Sequence, residues 1–147
     1  MSDKFMWDKG DKIVLTPPSK ELKKIKEIYF QIADAWNHGY ACRLQINGNV
    51  ARRHNDESSI KMYYINEYFS PEETEIILKS IEDLHIECWE RKYMPNGIVL
   101  DGETWELTIH YDDGHSKKSS GENAYPDNWN EFLMIMSNIF EIECDED

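Results

Sequence analysis

The sequence predicts an α+β fold: an antiparallel sheet of about five to six strands with three amphipathic helices, in the order α-β-β-β-α-β-β-β-α. Short segments with alternating apolar and polar residues indicate half-buried strands, and longer segments with apolar residues every three or four positions indicate helices. The turn dipeptides Asn47-Gly48 and Asp113-Gly114 join neighbouring strands tightly, which favours antiparallel pairing. A length of 147 residues suits one domain, so we expect residues 1–147 to form a single unit with loose ends at 1–12 and 143–147.

The first helix is predicted over residues 20–36, after a short strand at 13–15. Two prolines precede it and Asn37-His38-Gly39 follows it, which are typical start and stop signals. Its apolar positions have helical spacing: Leu22, Ile25, Ile28, Tyr29, Ile32 and Trp36.

Three strands and a second helix follow in the prediction. Residues 40–46 alternate between apolar and polar, the chain turns at Asn47-Gly48 and returns over 49–54, and a third strand covers 60–67. The helix begins at Ser70, where Ser-Pro-Glu-Glu forms a capping box, and extends to about residue 84.

The most regular alternation lies between residues 101 and 126. After a strand predicted at 88–93, one face of the next strand is apolar: Trp105, Leu107, Ile109 and Tyr111. The polar strand at 115–120 is expected at the sheet edge, where it could recruit a second copy, so a monomer and a dimer both stay open.

The corner at residues 123–126 is predicted to position the last helix. Asn123 is expected to bond the backbone and Tyr125 to pack before Pro126, which would direct Trp129 beneath Trp105. Asp127 or Asn128 caps this helix, whose apolar stripe is wide: Trp129, Phe132, Leu133, Met136, Ile139 and Phe140.

The net charge of −13 is unevenly distributed. Residues 1–54 carry ten Lys/Arg and six Asp/Glu, whereas residues 55–147 carry six and twenty-three. Such a chain is repelled by nucleic acid and anionic membranes and attracted to basic surfaces. We therefore predict a protein partner with a basic surface, for instance a nucleic-acid-handling protein. Arg52 and Arg53 are expected to pair with the acidic half of the chain rather than to bind RNA.

Ten carboxylates are the predicted partner-binding residues, because they could occupy positions where phosphates bind the partner. They are Glu72, Glu73, Glu75, Asp127, Glu131, Glu141, Glu143, Asp145, Glu146 and Asp147. The alternative is that these acids only keep a helix and a tail soluble.

No catalytic residue, cofactor or metal site is predicted. His85-Ile86-Glu87 is similar to part of a zinc-deaminase signature, but the later Pro-Cys-x-x-Cys is absent. An enzyme using Glu106, His110 and Asp112 remains a third hypothesis, since a site on one strand would need groups from another strand to complete it.

Cysteine usage and hydropathy indicate a cytoplasmic protein. No run of eighteen apolar residues could span a membrane, and the N-terminus is too charged for a signal peptide. Cys42, Cys88 and Cys144 form no Cys-x-x-Cys pair, so we expect two core thiols and one free thiol near the C-terminus.

The segment from residue 101 to 132, with DGETWELTIHYDDG, GENAYP and DNWNEF, resembles a pattern in small uncharacterised proteins of clostridia-like genomes and their mobile elements. The resemblance implies an antiparallel hairpin that leads through Asn-Ala-Tyr-Pro into a helix. It implies no catalytic residue.

Charge and size together suggest a non-catalytic acidic interaction protein. The sharpest form of this hypothesis is a phage- or mobile-element-borne inhibitor that occludes a basic nucleic-acid-binding site on a host protein, similar to anti-CRISPR proteins in size and charge only. The alternative is a housekeeping or immunity-type binding domain whose partner is unrelated to nucleic acid. That alternative needs an exposed aromatic anchor, for which Trp7, Trp36 and Tyr63 are candidates.

Overall fold

The computed structural model describes residues 24–36, 38–55, 65–97 and 102–141. Within them lie seven strands and two α-helices: β1 (Ile25–Ala33), β2 (Gly39–Asn47), β3 (Val50–Asn55), β4 (Asn66–Tyr68), α1 (Pro71–Glu82), β5 (Lys92–Tyr93), β6 (Thr104–Tyr111), β7 (Ser116–Glu122) and α2 (Trp129–Phe140). The sheet order is β4-β3-β2-β1-β6-β7-β5, and β5 is parallel to β7 while the other pairs are antiparallel. The predicted three helices on an antiparallel sheet of five to six strands are therefore wrong, although α+β holds as a coarse class.

The main correction concerns the helix predicted over residues 20–36. Residues 25–33 form β1 at the centre of the sheet, paired with β2 on one side and β6 on the other. Its buried residues are Ile28, Phe30 and Ile32, which alternate with period two. Ile28 and Ile32 are also four positions apart, which fits a helix. Here the backbone hydrogen bonds to the strands on both sides favour the extended conformation instead. Trp36 is 64% exposed in the following turn, and residues 20–23 lie outside the described part.

Three smaller predictions are also wrong. The segment 88–93 is mostly not a strand: a short 3₁₀ helix (Ile86–Cys88) buries Trp89, and only β5 pairs. The strand predicted at 115–120 is β7, and β5 pairs with its outer side only at Ser120 and Gly121, so the edge prediction is wrong at its C-terminal end alone. The hairpin loop after β2 is Gly48-Asn49 rather than Asn47-Gly48, with positive φ at Gly48, as a type II′ turn requires.

Predictions at residues 13–15, 56–64 and both chain ends lie outside the described residues. The strand expected at 60–67 is therefore seen only in its last part, as the three-residue β4. Neither described α-helix is long and apolar enough to cross a membrane.

The predicted alternation along β6 is confirmed. Trp105, Leu107 and Ile109 are almost fully buried on the face that the helices cover. The capping box at Ser70 is also confirmed, with both reciprocal bonds to Glu73 formed. On α2 the predicted stripe is largely buried: Trp129, Phe132, Met136, Ile139 and Phe140. Asn128 occupies the N-cap without a side-chain capping bond.

Aromatic rings fill the centre of this core. Trp129 lies 4.6 Å from Trp105 and 5.0 Å from Tyr125 between ring centroids, and Phe132 lies 5.0 Å from Phe30. Trp129 therefore lies against Trp105 beside Tyr125, as the sequence predicts. Such ring pairs fix the helix layer against the sheet.

Candidate partner-binding surface

The two helices lie antiparallel on the core face of the sheet. α1 begins beside β3, where a backbone N–H of β3 donates to Thr74 Oγ1 at 2.9 Å. α2 ends beside the same strand, because Arg53 Nη1 donates to the Ile139 carbonyl at 2.7 Å. At the opposite end, Asn128 Nδ2 donates to the Leu84 carbonyl just beyond α1, at 2.8 Å. The midpoints of the two helices therefore lie at the same level of the layer.

Each helix presents one apolar side chain to solvent near its middle. Ile76 of α1 is 67% exposed and Met134 of α2 is 65% exposed. Helical geometry explains this exposure, since Ile76 is two positions after buried Thr74 and Met134 is two positions before buried Met136. An apolar side chain on the outward stripe gains little from folding, so both residues are candidate contacts for a partner.

Acidic residues surround Ile76 along α1. Glu72 is four positions before it on the same stripe, and Glu75 directly precedes it; both carboxylates are exposed. Lys79 is the one basic residue of the two helices, and its Nζ lies 3.0 Å from Asp83 Oδ1. That hydrogen bond and the charge of Asp83 raise the pKa of Lys79, so this cation is already paired.

The surface of α2 repeats the arrangement. Glu131 is three positions before Met134 and Glu141 is seven positions after it, and both are exposed. We call five exposed residues of the two helices the outer helix face: Glu72, Glu75, Ile76, Glu131 and Met134. Lys79, Asn130 and Asn138 are also exposed on these helices. The outer helix face combines an apolar centre with an acidic border.

The structure divides the predicted carboxylates between the two ends of the helix layer. Those of α1 and the last turn of α2 lie towards β3: Glu72, Glu73, Glu75 and Glu141. Asp127 and Glu131 lie at the other end, about 18 Å away over a twelve-residue helix. The remaining four lie outside the described residues: Glu143, Asp145, Glu146 and Asp147.

Two of these carboxylates have structural partners. The Glu73 side chain accepts from the backbone N–H of Ser70 at 2.9 Å and completes the cap of α1. Glu141 Oε2 lies 3.1 Å from Arg53 Nη2. Glu73 and Glu141 therefore already make contacts within the molecule, so a partner protein would not be their only contact.

Arg53 is paired within the molecule, as the sequence predicts. Its side chain is only 11% exposed, its guanidinium contacts the carboxylates of Glu67 and Glu141, and it lies 4.8 Å from the ring centroid of Phe69. With the bond to Ile139, this side chain joins β3, β4 and the end of α2. Its role is architectural.

The same prediction is wrong for Arg52, whose guanidinium donates to the neutral side chains of Gln45 and Asn66 rather than to carboxylates.

The residues of the enzyme hypothesis do not converge. Glu106 accepts a hydrogen bond from Gln31 Nε2 at 3.3 Å, whereas His110 Nδ1 lies 2.7 Å from Ser116 Oγ, further along β6. Asp112 is exposed in the β6–β7 turn. Among the described residues, no three His, Cys, Asp or Glu side chains are grouped to hold a metal ion.

The remaining candidates are placed as follows. Trp36 is exposed in the turn between β1 and β2, while Trp7 and Tyr63 lie outside the described residues. Cys42 is buried, but Cys88 is exposed, so the expectation of two core thiols is wrong for Cys88, and Cys144 is not described. The 3₁₀ turn buries the preceding Ile86 and leaves Cys88 at the surface.

No protein-family model and no curated protein matches this sequence. The resemblance of residues 101–132 to clostridial and mobile-element proteins therefore stays a prediction.

Sequence reasoning missed Ile76 and Met134. The signal was present, since each stands opposite the buried stripe of its own helix. In the sequence, however, Ile76 is adjacent to the inward-facing Ile77 and Met134 to the inward-facing Leu133. Each therefore resembles part of a broad apolar stripe.

Proposed function

We propose that this protein is a non-catalytic acidic interaction protein whose outer helix face docks onto a basic surface of a partner protein. The observation that carries the proposal is the pair of exposed apolar side chains, Ile76 and Met134, near the middle of two helices whose other exposed residues include five glutamates and one lysine. Interfaces typically have an apolar centre within a polar rim, and this face has that composition.

The charge of the outer helix face indicates which kind of partner surface it can bind. The carboxylates Glu72, Glu75 and Glu131 surround the apolar centre, and the single lysine of the two helices is paired with Asp83. A basic surface complements this arrangement, whereas an acidic one is repelled.

Basic surfaces large enough to accept two helices include the grooves in which proteins hold nucleic acid. We therefore propose, as the specific form of this function, that the protein occludes such a groove on a host protein, as a mobile-element-borne inhibitor would. The acidity of the chain supports this form.

Affinity capture with three matched baits tests the proposal. The baits are the wild type, the variant I76Q/M134Q, and the control W36Q/M94Q, which changes two exposed apolar side chains outside the helices. Glutamine is a good helix former, so the helix variant should fold. Partner proteins captured from host lysate are identified by mass spectrometry at low and high salt.

The proposal predicts a basic partner captured by the wild type and the control, reduced with I76Q/M134Q, and released at high salt. Release by added single-stranded oligonucleotide supports the occlusion form. Equal capture by all three baits contradicts the outer helix face as the interface. Salt-resistant capture of a partner without a basic groove supports the housekeeping or immunity-type alternative instead.

A further inference from the structure

A cleft of about 550 Å³ lies between the helix layer and the sheet, at the end where α1 finishes. α1 ends at Glu82, and His85 then takes a left-handed conformation with φ 53°, which turns the chain into the 3₁₀ helix. This turn directs Ile86 inward and leaves Glu87 at the surface. The volume lies within the range of small-molecule sites.

The floor of the cleft is apolar. One side is formed by the ends of β1 and β6 and the other by α1 and the 3₁₀ helix, with five lining side chains: Ile25, Ile81, Ile86, Ile109 and Tyr111. We call this site the isoleucine cleft. Ile81, Ile86 and Ile109 are almost fully buried, whereas Ile25 and Tyr111 are half-buried. An apolar body in the cleft packs against this floor and displaces water mainly from Ile25 and Tyr111, which favours binding.

Three carboxylates stand at its rim. Asp83 is paired with Lys79, and Glu87 Oε2 lies 3.1 Å from His85 Nδ1. The carboxylate of Glu82 forms no ion pair within the described residues, and its charge contributes to the raised pKa of Lys79.

The remaining basic groups of the rim are engaged elsewhere. Lys117 Nζ donates to the backbone carbonyl of Trp89, and His115 Nδ1 lies 2.9 Å from Asp113 Oδ2. Burial raises the pKa of the Tyr111 phenol, and the negative charges of Glu87 and Asp113 raise it further. Among the residues that line the cleft, the three carboxylates Glu82, Asp83 and Glu87 outnumber the two lysines Lys79 and Lys117, and this excess of negative charge favours a cation.

We propose that the isoleucine cleft binds a small amphipathic cation, a molecule with an apolar body and one amine group. The body lies on the isoleucine floor, and the amine lies at the rim beside Glu82 and Glu87. This site is separate from the outer helix face, so it can be correct whether or not the proposed partner exists.

Octylammonium and octanoate test the charge requirement, since they share an apolar chain and differ in head-group sign. Butylammonium has the same amine group and a shorter apolar chain, so it tests how much the apolar floor contributes to binding. Binding is followed at constant neutral pH by the backbone amide signals of Ile81, Ile86 and Ile109. The variant E82Q/E87Q removes two rim carboxylates, and E106Q/E122Q, on the opposite sheet face and strand end, makes the same net change in charge as a control.

The proposal predicts that octylammonium shifts these three amides and binds more tightly than both octanoate and butylammonium. E82Q/E87Q should weaken octylammonium about three- to tenfold, as expected for two exposed charge contacts, and E106Q/E122Q should not. Equal binding of the two octyl probes, equal binding of butylammonium, equal effects of the two variants, or shifts away from the cleft would each overturn it.

Discussion

Asn123 and Glu103 bond each other twice across the open end of the β6–β7 hairpin. The backbone N–H of Glu103 donates to Asn123 Oδ1 at 3.0 Å, and the backbone N–H of Asn123 donates to the Glu103 carbonyl at 2.9 Å. Next to this pair, Trp105 Nε1 donates to the Ala124 carbonyl at 3.0 Å. Gly121 makes this approach possible, since a Cβ there would lie 2.4 Å from both atoms. The corner thus holds the chain where it leaves the sheet for α2.

Replacement of Asn123 separates the two contributions of this residue. Its φ of 51° is left-handed, which costs an alanine about 1 kcal/mol, and its side-chain bond contributes about 1 kcal/mol. We expect Asn123→Ala to lower the free energy of unfolding by about 2 kcal/mol and Asn123→Gly by about 1 kcal/mol, because glycine accepts this conformation. Urea denaturation measures both; if Ala is as stable as Gly, conformation contributes nothing here.

Tyr125 should make stability depend on alkaline pH. Burial raises its pKa well above the ordinary value, and the 2.6 Å hydrogen bond to Glu103 Oε1 and the charge of Glu103 raise it further. The folded protein therefore holds the phenol proton more tightly than the unfolded chain, so this contribution is complete below about pH 10 and declines above it. The stability difference between wild type and Tyr125→Phe should be constant below about pH 10 and shrink as the pH rises above it in urea titrations. A constant difference would contradict this assignment.

Arg53 should resist replacement by lysine. Its planar guanidinium contacts Glu67, Glu141 and the Ile139 carbonyl together, and an ammonium cannot reproduce this geometry. We expect Arg53→Lys to lower the free energy of unfolding by about 1–2 kcal/mol. Arg91→Lys, at an exposed position before β5, is the control and should change it by less than about 0.5 kcal/mol. Similar losses from both variants would show that the guanidinium geometry of Arg53 makes no specific contribution to stability.

The N-terminal cap of α1 tests whether the charge of the Glu73 carboxylate stabilises the fold. Ser70→Ala removes the bond to the Glu73 N–H and should cost about 1 kcal/mol. Glu73→Gln keeps an acceptor for the Ser70 N–H and should change stability by less than about 0.5 kcal/mol, since glutamine also serves in capping boxes. Thermal and urea unfolding of both variants test this. A large loss from Glu73→Gln would mean that the carboxylate charge stabilises the helix by another route.

Local signals predicted the second half of the chain well. The capping box at Ser70, the alternation along β6 and the stripe of α2 each depend on near neighbours in the sequence, so periodicity and turn chemistry identify them. β1 was mistaken for a helix because its burial is decided by pairing with β2 and β6, which a local pattern does not contain. The strand predicted at 88–93 is shorter than expected: Trp89 is buried after the 3₁₀ helix, and only Lys92 and Tyr93 pair, with the distant β7.

The candidate surface was predicted only in part. The sequence predicted the carboxylates Glu72, Glu75 and Glu131 as partner-binding residues. It did not predict that the antiparallel helices place Ile76 and Met134 at the same level of the helix layer. That placement depends on contacts between distant residues, such as Asn128 with Leu84. Charge can be counted along a sequence, whereas the shape of a face requires the fold.

The most direct test of the outer helix face is the dissociation constant of the captured partner, measured for the wild type, I76Q/M134Q and W36Q/M94Q at low and high salt. We predict that I76Q/M134Q weakens binding at least about tenfold at low salt, because two central apolar contacts are lost. The W36Q/M94Q control should stay within about twofold, and high salt should weaken the wild type. Equal dissociation constants for I76Q/M134Q and the wild type would show that the partner binds elsewhere and would contradict the proposed interface.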